Sequence, residues 1–358
     1  MIIGVTGYGA TGASAYIDLI KEFEGVQSYE SSMEFQLLQE TDGILDLKYN
    51  IVDMHRRVNI NSVLVRYKNN INNQRNRKIR LFTQGNYTKL ALDYLSTLTD
   101  ITWKGTSSYD PQDIRPYYDK SVFKYFNAGI RRILRLVKST ESWPPKLERY
   151  YSGLDEDKFN SVTNQFLKKV FIASGFDVSN PILVEQVFNT SDPSAGMEFF
   201  DDSRAIIVDR DPRDVYALVN FYYPHISGYM PNDRDVDKYI KYFRSIHKIH
   251  INDPRVKYVK YEDLVFRYEE TVKDISTWLG LKHVNKGKFF KPEYSINNTQ
   301  VYLKYNIPQA VRRIEECLGD MLYDFDSAVH DVKISRVDIG VFHRQVDASR
   351  AVKKLKAE

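Results

Sequence analysis

Short apolar runs alternate with stretches of helical apolar spacing along most of the chain, and the alternation predicts its elements. Met1 to Thr6 is a buried strand, and Ala15 to Phe23 is a helix with Ile17, Leu19, Ile20 and Phe23 on its apolar face. Glu34 to Leu38 predicts a second strand and Ile44 to Val58 a helix, while Asn69 to Arg80, poor in apolar residues, predicts a solvated loop or helix face. Tyr87 to Leu98, Ser121 to Lys138 and Asp155 to Ser174 carry helical spacing, the last with Phe159, Val162, Phe166, Val170 and Phe171 on one side. Ile182 to Phe188 reads as a central strand and Ala205 to Val208 as another, with a helix starting near Pro212. A helix over Asp235 to Ile249, a strand over Val256 to Tyr261 and a helix over Leu264 to Leu279 complete the series. Strands joined through helices make crossover connections, so the expected fold is α/β, a central parallel sheet flanked by helices. Without a repeat or a clear linker, one domain over 1–326 is expected, followed by a basic tail over 327–358.

Composition narrows the function classes. Basic residues number 51 and acidic ones 47, a net charge of +4, which suits an anionic small ligand in a locally positive cleft and not nucleic acid. Cys317 is the single cysteine, excluding an internal disulfide framework and any multi-cysteine metal site. No cluster with metal-ligand spacing and no run of eighteen apolar residues occurs, so neither a metal nor a transmembrane segment is expected. The chain opens directly on a strand, and the expectation is a cytoplasmic protein without a signal peptide. The 26 tyrosines are read as filling half-buried positions.

The candidate chemistry begins at Gly7-Tyr8-Gly9-Ala10-Thr11-Gly12-Ala13-Ser14, between the first strand and the first helix. Glycines admit a ligand close to the backbone, and the unpaired N–H groups of a helix start attract anions, so this turn is a phosphate-site candidate. Gly7, Gly9 and Gly12 fit the dinucleotide pattern G-x-G-x-x-G. Gly7 and Gly12 also fit a P-loop whose lysine has become alanine, which argues against an ordinary ATPase or GTPase. The turn alone leaves these readings open.

A second block, Ile206 to Val215, runs a buried strand into Asp209-Arg210-Asp211-Pro212-Arg213-Asp214. Arg210 is thereby set at the carboxyl edge of a parallel sheet, where a guanidinium suits bidentate phosphate binding. A third, Val259-Lys260-Tyr261-Glu262-Asp263-Leu264, precedes a helix ending Trp278-Leu279-Gly280-Leu281. Together, from Ile2 to Tyr305, these blocks resemble the sulfotransferases that use 3′-phosphoadenosine 5′-phosphosulfate (PAPS). The Glu34-Phe35 strand and the segment from Lys291-Pro292-Glu293-Tyr294-Ser295 to Asn298 look most like bacterial, capsular polysaccharide-type glycan sulfotransferases.

The resemblance implies a P-loop-like sulfotransferase fold and transfer from PAPS, with PAP as product, to a glycan or glycolipid hydroxyl. It assigns Gly9, Ala10, Thr11, Gly12, Ala13 and Ser14 to the 5′-phosphosulfate, Arg210 to the 3′-phosphate and Tyr261 to the adenine. Lys286-Gly287 falls on a segment closing over the 3′-phosphate. The helical insertion 57–145, rich in Arg, Asn and Tyr, is expected to supply acceptor contacts. Glu34 is the leading general base, with His55, Asp42 and Glu30 as rivals. Two departures stand out. Ala10 occupies the place of a lysine, for which Arg131, Arg132 and Lys291 are candidate substitutes, and Leu218 replaces a serine that would meet the 3′-phosphate. An NAD(P) dehydrogenase and a nucleotide-binding protein without turnover are the competing readings. The basic residues Arg131, Arg132, Arg135 and Lys138 read as a solvated helix face or the wall of an anionic substrate groove.

Overall fold

The computed structural model describes residues 1–29, 33–73, 76–105, 121–137, 146–223 and 228–329. Glu30, Lys138 and all but the first residues of the expected tail lie outside them; Phe325–Val329 at the tail's start is helical. The chain divides into two compact units, Met1–Gln36 with Val178–Glu358, and Leu37–Asp177. The second contains the 57–145 stretch and extends beyond it at both ends.

The first unit is built on a parallel sheet. Its strands are β1 (Ile2–Gly7), β2 (Gln27–Ser28), β5 (Ile182–Glu185), β6 (Ser203–Asp209) and β7 (Val256–Lys260), in the order β2-β5-β1-β6-β7. Ile2 lies opposite Ile182 on one side and Ser203 on the other. β1 is flanked by strands on both sides and covered by helices, so its residues are apolar without alternation. The helix Ala13–Ile20 buries Tyr16, Ile17, Leu19 and Ile20 against Ile3, Val5, Ile206 and Val208. Full burial of each aliphatic side chain contributes roughly 1.5–3 kcal/mol. Pro212 stands at the first helical turn of Pro212–Phe221, where its missing N–H costs nothing, and the Asp211 carboxylate caps that helix from Arg213 N–H at 2.9 Å.

Two predicted elements differ. Glu34 to Leu38 is no strand: Glu34 makes one isolated parallel bridge to Glu185, Phe35 N–H donates to the Glu185 carbonyl at 2.8 Å, and the chain then turns. The strand after the first helix is instead the two-residue β2. The predicted helix Ile44 to Val58 stops being α-helical at Lys48, continues as a π-helical turn over Tyr49–Asp53, and breaks at His55, whose φ is 41°.

The second unit has a helical core in which Tyr94 stacks on Phe166 with centroids 4.5 Å apart and bonds Thr163 Oγ1 at 2.8 Å. Satisfying the phenol is what permits its burial. The predicted helices over Tyr87–Thr97, Ser121–Leu136 and Glu156–Ala173 are present, the last capped by Asp155. An antiparallel pair, β3 (Ile101–Gly105) with β4 (Leu147–Tyr151), joins them.

Candidate functional site

A cavity of about 310 Å³ opens at the carboxyl ends of β1, β5 and β6, near the lower end of the roughly 300–1,000 Å³ usual for ligand sites. Its floor is the glycine turn: Gly7 and Gly9 through Ser14 all line it. Gly12 caps the helix with φ 85°, and a Cβ there would lie 2.5 Å from the Tyr261 ring. A Cβ on Gly7 would lie 2.3 Å from Thr11 Oγ1. The turn therefore has room only for glycine at both places. Ala13 and Ser14 begin the helix, where N–H groups have no intrahelical acceptor. Ala10 itself takes φ 56°, a left-handed conformation costing about 1–2 kcal/mol for a residue with a Cβ.

Arg210, one residue past β6, lines the same cavity and is 3% exposed. Its guanidinium donates to Asp214 Oδ2 at 3.2 Å, to the Ala10 carbonyl at 3.5 Å and, in a very short contact, to the Asn298 carbonyl. It lies 4.7 Å from the centre of the Tyr261 ring. Beneath it is a buried set of charges. Asp211 binds Arg213 through both oxygens, at 2.9 and 2.7 Å, and Glu262 Oε1 accepts from Asp211 N–H at 3.0 Å. Burial raises the Glu262 carboxyl to about 8, against the opposing attraction of Arg210. Burial likewise raises Asp214, outweighing Arg210 and the Tyr302 N–H at 3.1 Å. Glu262 therefore keeps its proton near neutrality.

Two buried polar atoms of this cavity's residues, Thr11 Oγ1 and Arg210 Nε, have no hydrogen-bond partner. Buried polar atoms are seldom left unpaired. A hydroxyl and a guanidinium N–H left open beside glycine-framed backbone donors suit an anion, so the residues present fit a bound phosphate group.

The opposite flank differs in charge. Asp18, Glu34 and Glu185 line the cavity, and Arg210 is the one cation among its described lining residues. Glu34 stands exposed with Oε2 accepting from Gln36 at 2.9 Å. Strand order sorts the charges: Glu185 ends β5 on one side of β1, and Arg210 follows β6 on the other.

The other expected site residues fall as follows. Tyr261 lines the cavity, but it is 3% exposed, with Gly12 and Arg210 against its ring and its hydroxyl on the Ser295 carbonyl at 2.9 Å. Its ring supports the turn and the arginine. Lys286 and Gly287 are not brought to the cavity: Lys286 pairs with Glu269, and Gly287 N–H donates to Glu22 at 3.2 Å. Glu22, fully buried, also accepts from His283 at 2.7 Å and from Phe289 and Phe290 N–H at 2.7 and 2.8 Å. That segment closes on a carboxylate of the protein itself. Leu218 lines the cavity as the expected serine would. Ser295 and Asn298 gain a role, as the carbonyls holding Tyr261 and Arg210.

His55 belongs to the second unit, where its Nδ1–H donates to the Ile51 carbonyl at 2.8 Å and Nε2 lies 3.4 Å from the Tyr151 hydroxyl. Asp42, also there, accepts from Arg66 at 2.7 Å. Arg131 and Arg132 lie in that unit too, and Lys291 is not among the cavity's residues. Glu185 and Gln186 went unnoticed in the sequence; the available signal was a carboxylate closing the buried run Ile182-Leu183-Val184.

No family model matches the chain, and no curated protein matches it. Solved structures similar at a distance include two sulfotransferase-type folds. The sulfotransferase domain from the curacin biosynthetic pathway shares 10% identity at a TM-score of 0.37, with 100% of this chain and 98% of that chain covered. Retinol dehydratase, in complex with androsterone and inactive cofactor PAP, shares 13% identity at a TM-score of 0.32, covering 91% and 81%. Likenesses this distant carry no functional argument.

Proposed function

We propose that the chain transfers a sulfuryl group from PAPS to a hydroxyl of a glycan or glycolipid. One observation carries the reading: Thr11 Oγ1 and Arg210 Nε, from distant chain segments, are unsatisfied buried polar atoms of residues lining one cavity. The sequence blocks that contain them resemble the two phosphate grips of PAPS enzymes. Strand order also speaks against the dehydrogenase. In dinucleotide folds the second strand pairs directly with the first, whereas here β5 stands between β1 and β2.

PAPS supplies the sulfuryl group on a mixed anhydride whose leaving group is a phosphate. Backbone N–H groups at Ala13 and Ser14 and the Thr11 hydroxyl hold the 5′-phosphate, and Arg210 takes the 3′-phosphate. Glu34 accepts the acceptor's proton as the new S–O bond forms and the S–O bond to the 5′-phosphate breaks, with Glu185 beside it as the alternative base. Positioning and fixed dipoles provide most of the rate, as in phosphoryl transfer.

Calorimetric titration with PAP tests the nucleotide half. One-to-one binding by folded protein is expected, and no binding would remove the reading. A second reading, nucleotide binding without turnover, is favoured by one observation: Ala10 stands where a lysine would neutralise the leaving phosphate, leaving Arg210 as the single described lining cation. Mass analysis of a glycan panel incubated with PAPS separates the two, because PAP binding without any sulfated product would select the second.

A further inference from the structure

We infer that the helix Ser121–Leu136 is a docking surface for an anionic lipid bilayer, lying along the headgroups. At 100° per residue, Tyr125, Phe126, Ile130, Ile133, Leu136 and Val137, just past the helix end, fall on one side. Arg131 and Arg135 fall on the opposite side, and Arg132 at the border. The apolar side is not buried. Tyr125, Phe126, Ile133, Leu136 and Val137 are between 57% and 79% exposed. Among the described residues, eight of the twenty exposed large hydrophobic side chains fall between Ile101 and Leu147, including Trp103. Apolar surface gathered in this way marks an interaction site.

Charge selects the occupant. The helix contains Lys124, Arg131, Arg132 and Arg135 and no acidic residue. A second copy would bring the same positive charge against it. The chain beyond Val329 has seven basic residues against four acidic ones, so it too would be repelled. An anionic bilayer satisfies both sides at once: the side chains on one side enter the acyl boundary, and the arginines reach phosphate headgroups. At 1.5 Å per residue the helix is about 24 Å long, and no described helix is long and apolar enough to cross a membrane, so it lies on the surface. The inference rests on the second unit alone and does not depend on the transfer reaction.

Co-sedimentation of the full chain with phosphatidylcholine vesicles, with and without phosphatidylglycerol, tests it. Binding to the phosphatidylglycerol vesicles is expected, weakening as salt is raised. The triple variant Arg131→Gln/Arg132→Gln/Arg135→Gln should lose on the order of a hundredfold in affinity, at about fivefold per arginine. Ile133→Glu/Leu136→Glu should abolish binding. All these side chains are exposed, and cooperative unfolding of each variant, followed alongside, shows that it remains folded. Failure of the folded parent to bind the anionic vesicles would overturn the inference, as would binding undiminished in both variants. Self-association, or capture of an acidic protein, that is lost in Ile133→Glu/Leu136→Glu while vesicles are ignored would give the surface to another occupant.

Discussion

The two flanks of the glycine turn are built on opposite principles. On the β6 side, Arg210, Asp211, Arg213, Asp214 and Glu262 are buried, and hydrogen bonds or ion pairs fix each of them. On the β5 side, Glu34 stands exposed with Gln36 as a donor, and Glu185 is half-buried. In a low-dielectric interior a charge persists only with partners, and a fixed cation then receives an anion with little reorganisation. The carboxylates of the other flank keep contact with water, where proton exchange is easy. The proposed transfer reaction would use the fixed β6 side to hold its anion and the exposed β5 side for the acceptor.

Substitutions on each flank should break the contrast differently. The largest effect is expected from Glu34→Gln, which should slow transfer by roughly 10²–10⁴-fold with PAP affinity unchanged. If Glu185→Gln slows it and Glu34→Gln does not, the base is Glu185. Arg210→Ala strands Asp214, so denaturant unfolding should show a loss of about 3–5 kcal/mol. PAP binding by the folded fraction should weaken by about 1.5–3 kcal/mol. Ala10→Lys restores a turn cation without new backbone strain, since position 10 already takes a left-handed φ with a Cβ. Calorimetry should find PAP bound about tenfold more tightly.

A separate effect concerns pH. Burial raises the Glu262 carboxyl to about 8 from an ordinary value of 4.5. Between those values the folded state holds a proton that the unfolded state has released, so this contribution to stability is full below about pH 4.5 and falls as pH rises toward 8. Glu262→Gln keeps an oxygen for Asp211 N–H and removes the titration. Thermal midpoints of the variant should decline less than the parent's from pH 5 to 8, and parallel curves would show that Glu262 is not the titrating group.

Much of the sheet was legible because its strands are apolar runs between polar turns, as at Ile182 to Val184 and Ala205 to Val208. β2 was not, since the two residues Gln27 and Ser28 carry no apolar pattern. Phe35, Leu37 and Leu38 are buried as their hydrophobicity implies, but in a turn and not in a strand. At the cavity, the glycine turn and Arg210 could be found because special backbone geometry and a strand-end arginine leave marks in sequence. The carbonyls of Ser295 and Asn298 leave none, because every residue has one. Nor could spacing show that Glu22 takes the N–H groups of the Lys286-Gly287 segment.

One consequence follows from the order of strands. β1 is synthesised first, yet both its neighbours lie beyond residue 181 and the carbonyl that holds Arg210 belongs to residue 298. Leu37–Asp177, by contrast, is continuous in the chain. During translation that middle portion can complete its own core while the glycine turn still waits for its walls. The cavity around the glycine turn is therefore finished only after that middle portion, and a chain truncated before Asn298 would lack the carbonyl that holds Arg210 however well its middle had folded.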